Sequence, residues 1–159
     1  NRRQRQMCIR DRFKTLIFLS ILIINMLVIA DDYKNIDCNG LAKVYFKNIN
    51  DGFISNDNNL LIEFGSENIN ILPITKMPDK NAKCVSGHHH LIVDSELPNL
   101  KRPIPSGKNY LHFGKGQEEA SIFLEEGTHT LQLLLGDYSH TPHDQPVYSE
   151  KILIKVINP

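Results

Sequence analysis

Beyond residue 42 the chain alternates apolar and polar positions in short runs, and turn-forming residues separate the runs. Val44-Tyr45-Phe46 reads as a short strand, closed by Asn48 and the Asn50-Asp51-Gly52 turn. Leu60, Ile62 and Phe64 share one face of the next strand. Residues 69–83, with Pro73 and Pro78, read as irregular. His89 to Val93 is a strand, and Ser95 to Asn109 is a long loop carrying Pro98, Pro103 and Pro105. Leu111 to Phe113 is short and ends in Gly114-Lys115-Gly116. Ile122 and Leu124 alternate with Phe123 before the Glu126-Gly127 turn. His129, Leu131, Leu133 and Leu135 line one face, and Ile152, Ile154 and Val156 form a closing strand. Such alternation marks half-buried antiparallel strands, and no segment shows a convincing helical period. The expectation is an all-β chain: an immunoglobulin-like, two-sheet antiparallel β-sandwich of about seven strands. It would be a single domain over 43–157, after a leader at 31–42.

The N-terminal third reads differently. Residues 1–12, NRRQRQMCIRDR, are basic and aperiodic. They read as non-native, adapter-derived sequence, with a long basic signal n-region as the alternative, so Cys8 is set aside. From Leu16 to Ala30 no charge interrupts the apolar run. That is short of the roughly 20 residues of a membrane span. Residues 13–30 thus read as a signal peptide, with Val28 and Ala30 at the small-residue positions of a cleavage site near Ala30 and an uncleaved membrane anchor as the alternative. The expected location is periplasmic or secreted, with no transmembrane span in the mature chain.

Charge narrows the partners. Of 18 basic and 18 acidic residues, 6 basic and 1 acidic precede residue 31, leaving 12 and 17 and a net charge of −5. A mildly acidic domain without a Lys/Arg stripe is a poor ligand for nucleic acid or anionic lipid. The sequence names no partner, and a cell-envelope protein is one candidate.

The two cysteines beyond residue 30, Cys38 and Cys84, read as one disulfide in an oxidising compartment. All seven histidines also lie there: His88, His89, His90, His112, His129, His140 and His143. On a strand, His88 and His90 point the same way, about 6.6 Å apart along the backbone. His89 shares its face with Leu91 and Val93 and is expected in the core. His112 alternates with Leu111 and Phe113 and should face away from it. His140 and His143 occupy a Pro-bearing loop, with Asp94, Asp137 and Asp144 near in sequence as ligands or as acceptors orienting an imidazole. The candidate metal ligands are His88, His90, His112, His140 and His143, and the candidate ions Zn²⁺ or Cu²⁺. The competing reading makes these histidines hydrogen-bonded loop cement, and that reading is preferred for His89 and His129.

Catalytic signatures are absent. There is no G-x-S-x-G elbow, P-loop or H-E-x-x-H, and Gly114-Lys115-Gly116 reads as a turn. Glu118-Glu119 and Glu125-Glu126 read as solvated acidic pairs. The expectation is a non-enzyme, with a metal hydrolase or redox enzyme as the remaining alternative.

Four motifs carry a resemblance: Gly87–Asp94 (GHHHLIVD), Leu111–Gln117 (LHFGKGQ), Gly127–Asp137 (GTHTLQLLLGD) and His140–His143 (HTPH). In this order they resemble the bacterial domain of unknown function 4399, over about residues 43–157. Val44-Tyr45-Phe46 and Asp51-Gly52 are similar to that family's start. The resemblance implies an exported bacterial domain in which these histidine-bearing segments recur, and it implies no activity. The histidine-bearing ending also resembles wider immunoglobulin-like modules of exported proteins. A longer insert, Ile74 to Val85, departs from the family pattern and carries Cys84.

Overall fold

The structure is a computed structural model that describes residues 38–157. The adapter-like residues 1–12, the signal peptide at 13–30 and most of the leader lie outside the described residues. Among the described residues there are nine strands. They are β1 (Lys43–Phe46), β2 (Phe53–Ser55), β3 (Asn59–Glu67), β4 (Ile69–Ile71), β5 (Val85–Val93), β6 (Tyr110–His112), β7 (Glu119–Phe123), β8 (Gly127–Gly136) and β9 (Ile152–Val156). No described helix is long and apolar enough to cross a membrane.

Two sheets face each other. One runs β1-β3-β7; the other runs β2-β9-β8-β5-β4, with β6 beside β5. Their inner faces build one core, to which β3 gives Leu60, Ile62 and Phe64, β5 gives Leu91 and Val93, and β8 gives Leu131, Leu133 and Leu135. Ile152, Ile154 and Val156 of β9 complete it. Strand period 2 sends these residues inward and their neighbours outward.

The outer face of the larger sheet is covered as well. Ile92 of β5 and Leu134 of β8 pack under Ile104 of the long 95–109 loop, with Leu97, Leu100 and Tyr110 around them. Coverage on both faces makes all of β5 after Val85 buried. The outward residues His88 and His90 continue the row that Ile92 begins, and this places them beside the covering loops.

The architecture is the expected all-β sandwich, with three corrections. There are nine strands, not about seven. The sheets are mixed, because β2 pairs parallel with β9 and β4 parallel with β5. Part of the segment expected to be irregular, Ile69–Ile71, is β4. Both unforeseen strands are three residues long, too short to show a period of two. β4 stops where Pro73 withdraws a backbone donor. Cys38 and Cys84 form a disulfide, with Cα atoms 5.4 Å apart, which ties the start of the described chain to the foot of β5.

Candidate metal centre

β5 presents His88 and His90 on the outer face, and their ring centroids stand 4.8 Å apart. The third imidazole comes through the ladder: β6 pairs with β5 in a register that sets His112 directly opposite His90. Residues opposed in this way project side by side from the sheet, and the His90 and His112 rings lie 5.0 Å apart. His88, His90 and His112 each offer a ligand nitrogen, all within 4.8 Å of one another. Two of the three are buried and His112 is exposed, so the group opens to solvent on the His112 side.

His140, on the turn after β8, stands outside this set of three but touches its edge. Its Nε2 lies 3.0 Å from Nε2 of His112, which in turn lies 3.1 Å from Nε2 of His88. A ring nitrogen carries either one proton or one lone pair, so His112 Nε2 cannot serve both neighbours well. Around one tetrahedral ion with bonds of about 2.0–2.1 Å, neighbouring nitrogens sit about 3.3 Å apart. The two Nε2–Nε2 separations are close to that edge, while the nitrogens of the triad as a whole lie within 4.8 Å. His90 Nδ1 is meanwhile buried without a hydrogen-bond partner.

The electrostatics favour neutral rings. His88 is lowered to about 4, by burial first and then by His112 and His140. His90 is lowered to about 3, again by burial first and then by His88, His112 and His140. His112 is lowered too, by burial and by His140. Neutral imidazole is the form that ligates a metal.

Glycines make room for these rings. A Cβ on Gly136 would fall 2.6 Å from Cε1 and 3.0 Å from Nδ1 of His90. A Cβ on Gly114 would collide with Cε1 of His112.

The family described as Domain of unknown function (DUF4399) matches residues 62–157. The chain belongs to the DUF4399 family. The match spans β5, β6, β8 and the turn bearing His140, and so every member of the histidine group. It begins inside β3, so the similarity read at Val44–Phe46 and Asp51-Gly52 falls outside the matched residues. No curated protein and no solved structure matches this DUF4399 chain.

The other candidates resolve as follows. His143 stands outside the ligand group, and its buried Nε2 has no hydrogen-bond partner. Asp94, Asp137 and Asp144 are not part of the group either. His89 points into the core, fully buried, with its ring 5.3 Å from that of Phe64. Both its nitrogens lack partners, and burial, then Lys47, lowers it to about 4. His129 is structural: Nδ1 meets Asp94 Oδ2 at 2.7 Å and Nε2 donates to Glu125 O at 2.9 Å. Burial works against its charged form, but the bonds to Asp94 and Glu125 prevail and raise its pKa. Gly136 was not singled out in the sequence; a glycine closing a strand can signal close approach, and here the approaching group is His90.

Proposed function

We propose that this DUF4399 chain is an exported, non-catalytic domain that binds one divalent transition metal, Zn²⁺ or Cu²⁺, for storage, delivery or sensing. His88, His90 and His112 would be its ligands, with His140 beside them. The observation that carries the reading is the mutual approach of the three ligand nitrogens, within 4.8 Å, from two paired strands and on one face. The donor set is all imidazole, which suits either ion. Export rests on the charge-free run from Leu16 to Ala30 and on the family resemblance.

The test is calorimetric titration of tag-free, metal-stripped protein with Zn²⁺ and with Cu²⁺. One equivalent bound at about micromolar Kd or tighter (about −8 kcal/mol), and lost in the His88→Ala/His90→Ala variant, is the expected result. Unchanged affinity in that variant would overturn the assignment. The hydrogen-bonded, structural role of His129 supports a second reading, a purely structural module. Under it, wild-type protein binds no metal, and the double variant loses about 1–3 kcal/mol for each buried partner left unpaired.

A further inference from the structure

We propose that Asp137 is the positioning residue for a fourth metal ligand, so that three strand-borne imidazoles are completed by His140 on a carboxylate-locked turn. This rests on the metal-binding reading above. β-Ladders place the strand ligands: His88 lies opposite Gly136, and His90 lies opposite both Leu134 and His112. His140 belongs to no strand, and its φ of 63° is in the left-handed region that non-glycine residues seldom adopt.

What holds that conformation is Asp137. Its Oδ1 accepts from the Ser139 backbone N at 2.8 Å, Ser139 Oγ at 2.7 Å and the Thr141 backbone N at 2.8 Å. Its own backbone N donates to Thr141 O, and its carbonyl accepts from His140 N, each at 2.9 Å. Bonds from this one residue reach Ser139, His140 and Thr141, so His140 is bracketed on both sides. On the far side, Ile104 N donates to His140 O at 2.8 Å and ties the turn to the covering loop. The outcome is a His140 ring 4.6 Å from His112 but 6.0 Å from His90. It sits at the rim of the triad, where a ligand that closes the set would stand. Carboxylates that hold a metal ligand without touching the ion usually bond its ring N–H; Asp137 instead fixes the backbone that carries His140.

The experiment uses the full, metal-stripped chain and compares Asp137→Ala, Asp137→Asn, His140→Ala and the Asp137→Ala/His140→Ala pair. Zn²⁺ affinity is read by calorimetry, and the number of nitrogens bound to Cu²⁺ by electron paramagnetic resonance. Asp137→Ala should weaken Zn²⁺ binding by about 10–100-fold and remove one nitrogen from the Cu²⁺ spectrum. Asp137→Asn keeps an acceptor oxygen and should restore most of the affinity. The paired variant should bind no more weakly than His140→Ala alone, because both changes act through one ligand. If Asp137→Ala does not fold, Ser139→Ala, which removes the Ser139 Oγ contacts with Asp137 Oδ1 and Thr141 Oγ1 and leaves the backbone bonds to Asp137, should give a smaller loss in the same direction. Wild-type binding with unchanged affinity and nitrogen count in Asp137→Ala, or in Ser139→Ala where that stands in, would overturn this inference alone. No binding by the wild-type chain would overturn the metal reading beneath it.

Discussion

Replacing Gly136 by alanine tests the site without touching a ligand. The new Cβ would stand 2.6 Å from His90 Cε1, 3.0 Å from His90 Nδ1 and 3.1 Å from Ile104 Cδ1. Carbon atoms in contact rest about 3.5–4.0 Å apart, so the His90 ring must withdraw by about 1 Å. Metal–ligand distances tolerate only about 0.2 Å, and a ring displaced that far no longer ligates. Gly136 is not among the residues with positive φ, so alanine fits its backbone and gains about 0.4–1 kcal/mol through the unfolded chain. Overpacking against a buried ring costs about 1–3 kcal/mol. The expected net effect is about 1–2 kcal/mol of destabilisation in urea and a fall of at least about 10-fold in Zn²⁺ affinity. Adding His90→Ala removes the clashing ring and should recover the stability but not the affinity. Wild-type affinity in Gly136→Ala would refute the reasoning, because His90 would then not be a ligand. A stability loss that persists in the His90→Ala background would assign the clash to Ile104 instead.

His89→Leu should change the acid limb of stability. The lowered pKa means that neutral His89 contributes stability fully above pH 6.5, and the contribution is lost as pH falls through about 4. At pH 4.5 the wild type should have lost about 2–3 kcal/mol from this group, and the leucine variant none of it; parallel urea curves at pH 7.5 and 4.5 would count against the idea. The raised pKa of His129 has the opposite sign. Its contribution is present below pH 6.5 and lost as pH rises through the folded value, so the wild type should exceed His129→Gln in stability by more at pH 6 than at pH 9. Reducing the Cys38–Cys84 bond, which spans 46 positions, should lower the Tm and cost at most about 4 kcal/mol; an unchanged Tm would show that the bond constrains nothing.

The fold was legible where strands were long enough to alternate. The core positions of β3, β8 and β9 were all readable from period 2, because one face of each was apolar. β2 and β4 were not, because three residues hold no pattern, and their parallel pairing links positions with no local signature. The antiparallel expectation failed there for the same reason. In the site, His88 and His90 were readable as a pair because their spacing alone puts them on one face. His112 was readable as outward-facing, but its register opposite His90 depends on how the loop between Val93 and Tyr110 returns the chain. His140 and His143 looked equivalent in the sequence, yet of the two only His140 touches the group, through His112.

The run His88-His89-His90 shows where the limit lies. Three identical side chains occupy one strand, and the pleat divides them between two environments. His89 is set against Phe64 in the core, while its neighbours join His112 outside. Composition cannot make that division, and burial does not reveal it either, because all three are 1% exposed or less. The apolar partners two and four positions on supply it: Leu91 and Val93 assign His89 to the inner face, and His88 and His90 are left with Ile92 on the other. Ile92 is itself buried under Ile104 and Leu134, so along β5 the outer face is a second enclosed environment, which opens to solvent at His112. That enclosure keeps the imidazoles neutral and close together. A histidine pair on an open sheet face would have the same spacing and would be charged far more readily.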